Sequence, residues 1–258
     1  MFRYLLILSI LLYSCQIKDK EPDEKWIAIF NGTDLEGWTP KISGYEAGED
    51  FRNTFRVEEG VLKVSYSAYD SFRGEFGHLF YKEELSHYRL RLEYRFTGDQ
   101  LPGGPSWALM NSGVMVHAQS PESMSLTQDF PVCLEAQFLG GTPGSVRPTG
   151  NLCTPGTHVY IADTLTTQHC LNSTSKTYLH NEWVRAEIVV FGDSVLHHIV
   201  NGDTVFTYFR PIIGGDHLPD DYPDAPGTPL TKGYIALQSE SHPVEFRAIE
   251  LMKMSSRK

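Results

Sequence analysis

Three short stretches gather the side chains best suited to chemistry. Asn111-Ser112-Gly113-Val114-Met115-Val116-His117 carries amide, hydroxyl and imidazole groups, with Trp107 just upstream and a glycine that permits close backbone approach. Glu135 and Gln137 take alternate positions beside Leu134, Ala136 and Phe138, so they face away from the apolar side of their segment. Gln238 and Glu240 repeat that arrangement, His242-Pro243 follows at once, and Glu93 sits likewise among Leu90, Leu92, Tyr94 and Phe96. Aromatic faces cover the apolar side of a pyranose while fixed amides and carboxylates bind its hydroxyls, so this mixture suits a sugar. The competing explanation is a plainly solvated sheet face.

The elements that must position these groups are strands. Tyr88 to Phe96 alternates strictly, with Leu90, Leu92, Tyr94 and Phe96 on one face and Arg89, Arg91, Glu93 and Arg95 on the other. Val132 to Phe138 repeats the pattern. Val195 to Val200, Asn201-Gly202 and Thr204 to Phe209 form a hairpin, because Asn-Gly tolerates the positive φ of a tight turn. Tyr234 to Gln238 and Val244 to Leu251 add two more strands. About ten strands and no amphipathic helix of any length predict an all-β fold, a two-sheet antiparallel jelly-roll sandwich spanning residues 26–254 as one domain. Two long irregular stretches, Gly140 to Thr157 and Arg210 to Lys232, break the rhythm, and long loops in compact domains are usually functional or mobile. The second holds Asp216, Asp220, Asp221 and Asp224, whose spacing does not make a calcium loop.

Composition narrows the function. In 258 residues the formal charge is −10 and no Lys/Arg run appears, which argues against a nucleic-acid partner. GxSxG, HExxH, Walker, dinucleotide-binding and CxxC motifs are all missing, which removes the usual support for serine hydrolase, zincin, nucleotidase, dehydrogenase and thioredoxin-like readings.

The N-terminus reads as an export signal over residues 1–14: Arg3, an apolar run from Leu5 to Leu12, then Leu12-Tyr13-Ser14-Cys15, which resembles a bacterial lipobox. That resemblance implies acylation of Cys15, a flexible tether over residues 15–25, and a chain held by lipid in the cell envelope, on the periplasmic side or the outer-membrane surface. With Cys15 so used, Cys133, Cys153 and Cys170 remain. Cys133 lies in a strand pattern and the other two in loop-rich sequence, so Cys153 pairs with Cys170, stabilising by roughly 3 kcal/mol on a chain-entropy estimate. The rival use of this region is a zinc site of Cys153, His158, His169 and Cys170, whose spacing fits no standard finger.

Five ordered blocks then carry a family resemblance. Phe30-Asn31-Gly32-Thr33-Asp34-Leu35-Glu36-Gly37-Trp38 is followed by VEEGVL at Val57 to Leu62, NSGV at Asn111 to Val114, EAQ at Glu135 to Gln137 and GYIALQSESHPVEFRAI at Gly233 to Ile249. Together they resemble the 3-keto-disaccharide hydrolase family over Trp26 to Leu251, which implies a concanavalin-like jelly roll. Many members follow the EAQ-like block with Asp, whereas Leu139-Gly140-Gly141 stands here, and GNLCTPGTH at Gly150 to His158 marks a subgroup.

The resemblance implies cleavage of 3-keto-glycosides. A ketone at C3 acidifies the C2 proton, so a base removes it, the C1 substituent leaves, and water adds to the enone. That route needs a base, a group for the enolate oxygen and an acid for the leaving oxygen. Glu135 is expected as base, His117 or His158 as acid, and Gln137, Asn111 and Gln238 as sugar or enolate ligands, with Glu93, Trp107, Glu240 and His242 completing the binding set. A divalent cation on Glu135, Glu240 and a histidine would supply the same polarisation; no other cofactor is implied. The alternatives are a glycan-binding lipoprotein without catalysis and, lacking a jelly-roll glucanase motif, a conventional glycosidase.

Overall fold

The computed structural model describes residues 25–255, so the export signal, Cys15 and most of the tether lie outside the described residues. Seventeen strands follow in order: β1 (Ile27–Ala28), β2 (Trp38–Ile42), β3 (Phe55–Glu58), β4 (Val61–Val64), β5 (Gly77–Tyr81), β6 (His87–Phe96), β7 (Asn111–Ala118), β8 (Leu134–Leu139), β9 (Asn151–Cys153), β10 (Thr157–Ile161), β11 (Thr164–Thr166), β12 (Cys170–Leu171), β13 (Val184–Phe191), β14 (Val195–Val200), β15 (Asp203–Ile213), β16 (Tyr234–Ser239) and β17 (Val244–Lys253). They form two antiparallel sheets, one of ten strands in the order β11-β10-β15-β14-β13-β6-β17-β4-β3 with β1 beside β17, and one of seven in the order β12-β9-β8-β7-β16-β5-β2. The chain is therefore a two-sheet jelly-roll sandwich, as its alternation predicts. The extra strands are mostly two to five residues long and lie in segments too short to show a period.

Alternation decides which side chains meet between the sheets. Leu90, Leu92, Tyr94 and Phe96 of β6 face Leu134, Ala136 and Phe138 of β8, with Val114, Val116, Ile235 and Leu237 beside them in one buried core. Tyr94 stacks on Phe138 at 4.1 Å between ring centres, and its hydroxyl meets Thr149 Oγ1 at 2.6 Å. Each large side chain buried this way stabilises by about 1.5–3 kcal/mol, which holds β8 and its polar outer residues in place. The β14–β15 hairpin turns at Asn201-Gly202, both with positive φ (49° and 96°), as the sequence requires.

Every polar residue that alternates outward on the seven-stranded sheet falls on one face. Across it, Lys41 pairs with His78, His78 with Gln238, Gly113 with Gln137, and Gln137 with Asn151. Leu237 pairs with Val114, which puts Gln238 beside Gly113 and closes the row.

Candidate active site

A cavity of about 390 Å³ opens on this outer face, at the small end of ligand pockets. Its floor is β7, β8 and β9, presenting Asn111, Glu135 and Gln137, while Glu240 reaches it from just beyond β16. Gly113 makes room for the central carboxylate: a methyl group there would lie 2.5 Å from Glu135 Oε1 and 2.9 Å from its Cγ. One wall is Trp107, held on a three-residue 3-10 turn, Ser106–Ala108, and Phe130 from the loop before β8. The lining continues from Phe130 to His217, 5.6 Å away between ring centres, then to His169 and the Cys153–Cys170 disulfide, which joins β9 to β12.

The polar groups are oriented by what they already hold. Gln137 Oε1 accepts from Asn151 Nδ2 at 3.1 Å, and Asn151 is itself fixed because its Oδ1 accepts the Ser173 N–H at 2.8 Å. The amide hydrogens of Gln137 are therefore the end turned toward a ligand. Asn111 does the reverse: its Nδ2 donates to the Trp107 carbonyl at 3.5 Å, and its buried Oδ1 has no partner. Arg147 reaches the cavity from the loop after β8 and donates to the carbonyls of Leu109, Gly140 (2.8 Å) and Trp107 (3.3 Å).

Two buried carboxyls dominate the electrostatics. Burial and then the charge of Glu240 push Glu135 well above the usual carboxylate range. Burial raises Glu240 to about 8, while the nearby Arg147 guanidinium pulls it back down. One oxygen of each, Glu135 Oε1 and Glu240 Oε2, is buried without a hydrogen-bond partner. Two carboxyls that repel each other lose their protons in sequence, and the one nearer a cation ionises first. The arrangement can thus hold one acid and one base side by side. Burial, then the neighbouring His217, lowers His169 below its ordinary value.

A family model for the 3-keto-alpha-glucoside-1,2-lyase-like domain matches residues 25–252. The chain belongs to this family. Two solved structures of presumed glycosyl hydrolases from Parabacteroides distasonis share its fold: one is 18% identical with a TM-score of 0.52, covering 89% of this chain and all of that one. The other is 19% identical with a TM-score of 0.52, covering 89% and 94%. No curated protein matches the chain.

Of the residues expected from sequence, Glu135, Gln137, Asn111, Trp107 and Glu240 meet in this cavity. Gln238 shares their face but lies fully buried beside His78, outside the cavity lining. The others do not join them. Glu93 is on the opposite sheet, where it accepts from Arg247 Nε at 2.7 Å, because both sheets show the same polar-out alternation. His117 has a left-handed φ of 49°, and its Nε2 lies 2.9 Å from the Gly192 carbonyl in the turn between β13 and β14. His158 belongs to β10 of the ten-stranded sheet and packs on Gly214 and Gly215. His242 is buried against Phe96 and His180 rather than at the rim. Among the described residues no three His, Cys, Asp or Glu side chains converge as a metal cage, so Glu135, Glu240 and a histidine do not assemble the cation site weighed from sequence. The disulfide takes the thiols that a zinc site would need.

Sequence reasoning missed Arg147, Phe130, His217 and His78. Arg147 had one signal, its place in the long stretch from Gly140 to Thr157. Phe130 and His78 carried none, since a buried histidine and a loop phenylalanine are ordinary in any sandwich.

Proposed function

We propose that this cavity cleaves glycosides carrying a ketone at C3, by elimination across C1 and C2 followed by addition of water. The observation that carries the reading is the buried carboxyl pair of Glu135 and Glu240, each with an unpartnered oxygen, beside a cavity-facing arginine. Membership of the lyase-like family supports the substrate class.

Arg147 makes Glu240 the first of the pair to ionise, so Glu240 takes the C2 proton and Glu135, still protonated, is the acid. The C2–H electron pair becomes a C2=C3 bond and leaves negative charge on the C3 oxygen. Arg147 and the free amide hydrogens of Gln137 meet that charge, the kind of fixed stabilisation on which such reactions depend most. The electrons then return through C3=O to form C1=C2 as the C1–O bond breaks, and Glu135 gives its proton to the departing oxygen. One proton has moved from C2 to the leaving group, and no redox partner is consumed. Asn111 Oδ1 accepts from a sugar hydroxyl, and the half-exposed Trp107 offers a stacking face. In this reading Glu135, expected from sequence as the base, serves instead as the acid.

Incubation with methyl 3-keto-α-glucoside and with its unoxidised parent tests this. Release of methanol from the keto form alone is expected; cleavage of neither sinks the enzymatic reading. The same carboxyl pair favours one second reading, conventional hydrolysis of an unoxidised glycoside by two acids, and cleavage of the parent would select it.

We further propose that an acylated Cys15 tethers the chain in the cell envelope. Trp26, where the tether ends, lies over Arg91 at 4.0 Å on the outer face of the ten-stranded sheet, opposite the cavity, so the cavity would face away from the lipid. Radioactive palmitate should label the protein and fail to label the Cys15→Ala variant.

A further inference from the structure

Half of the polar row on the seven-stranded sheet is sealed off from the cavity. His78 and Gln238, cross-strand partners on β5 and β16, are both fully buried, and neither ring nitrogen of His78 nor either amide atom of Gln238 has a hydrogen-bond partner. Buried polar groups are nearly always satisfied, so four unpartnered atoms on two adjacent residues need an explanation. What stands between His78 and the cavity is aromatic. Phe130 stands edge-on to His78 with ring centres 6.1 Å apart, packs 5.1 Å from Phe76, and also forms the cavity wall. Phe76 in turn stacks on Trp107 at 5.8 Å.

We propose that Phe130 is a side-chain gate and that His78 and Gln238 behind it form an inner subsite for the hydroxyls of a second sugar unit. The backbone around the gate is pinned. Gly44 N–H and Lys41 Nζ both donate to the Leu126 carbonyl (2.7 and 3.2 Å), Ser43 Oγ donates to Asp129, and Gln128 Nε2 donates to the Phe130 carbonyl at 2.8 Å. The ring of Phe130 is thus the part free to turn. A primary amide and a neutral imidazole each present one donor side and one acceptor side, which complements neighbouring hydroxyls and suits neither an anion nor a cation. Burial, with the Lys41 charge nearby, holds His78 at about 3, so its ring stays neutral at working pH. Gly113 lies between Gln238 and the Glu135 side of the floor, so a ligand seated over Glu135 reaches this subsite across one strand.

This rests on the cavity being a sugar site, and the test keeps the two apart. The intact chain, labelled with ¹⁵N-histidine, is titrated with methyl α-glucoside and with maltose while ring signals are followed by NMR. Saturating maltose is expected to move the His78 signals and methyl α-glucoside to leave them in place. His78→Leu and Gln238→Leu should each weaken maltose about tenfold and methyl α-glucoside less than twofold. Unmoved His78 signals under saturating maltose, or leucine variants that bind maltose like the parent chain, overturn the subsite while the cleavage reading stands on methyl 3-keto-α-glucoside. Should neither sugar bind nor the keto-glucoside be cleaved, both readings fall. The signals of the unmodified chain decide the matter even where a leucine variant fails to fold.

Discussion

The outer faces of the two sheets carry the same kind of sequence and opposite physics. On the ten-stranded sheet, Arg89 meets Glu187, Arg91 meets Glu250, Arg95 meets Glu245 and Arg247 meets Glu93, all at 2.6–2.7 Å and partly buried. Trp183 lies under both Arg95 and Arg247, at 4.5 and 3.9 Å. Each of these eight charges has a partner, and pairs that water still reaches contribute about 1 kcal/mol or less each. On the seven-stranded sheet the acids are buried, repel each other and keep oxygens unpartnered. Polar alternation marks an outward face; only burial without partners marks a face that works on something else.

The largest expected break in this contrast is Glu240→Gln against Glu93→Gln. Steady-state cleavage of methyl 3-keto-α-glucoside should fall about 10³-fold in the first, within the range for a lost general base, and less than twofold in the second. Equal losses would erase the distinction between the faces. Glu135→Gln should cost about 10²-fold with a methanol leaving group and recover most of it with 4-nitrophenol, which departs without an acid. A Glu135→Gln variant equally impaired on both would return Glu135 to the role of base.

Two smaller effects sharpen the account of the carboxyl pair. Activity should rise with pH as Glu240 ionises, and Arg147→Gln should displace that rise to higher pH, since the cation is what draws Glu240 down. An unmoved profile would show that Arg147 acts elsewhere. Stability should run the other way. Glu240 is raised from 4.5 to about 8 in the folded chain, so the folded state binds more protons than the unfolded state between those values. Stability is then complete below about 4.5 and lost as pH rises toward 8, by about 1.4 kcal/mol per pH unit for one such group. Urea titrations of the parent and of Glu240→Gln across that window should show the slope flattened in the variant.

Much of this was legible in the sequence. Strand alternation set the fold class and turned Glu135, Gln137 and Glu240 outward, Asn201-Gly202 gave its turn through positive φ, and the Cys153–Cys170 link followed from the strand pattern around Cys133. What alternation could not reveal is which sheet a strand joins, and Glu93 fell on the wrong one for that reason. Nor does it survive a left-handed residue: the positive φ at His117 turns a side chain out of the face that its position in the strand implies. Arg147 and Phe130 come from loops, where no period applies and tertiary contacts alone decide placement.

The central claim is that the C2 proton of an oxidised sugar leaves through this carboxyl pair. Its most direct test is cleavage of methyl 3-keto-α-glucoside carrying deuterium at C2, followed by absorbance for the unsaturated keto sugar. The account predicts that deuterium slows cleavage severalfold and that the unsaturated keto sugar appears transiently, ahead of the hydrated product. Cleavage at an unchanged rate, with no unsaturated product, would contradict it.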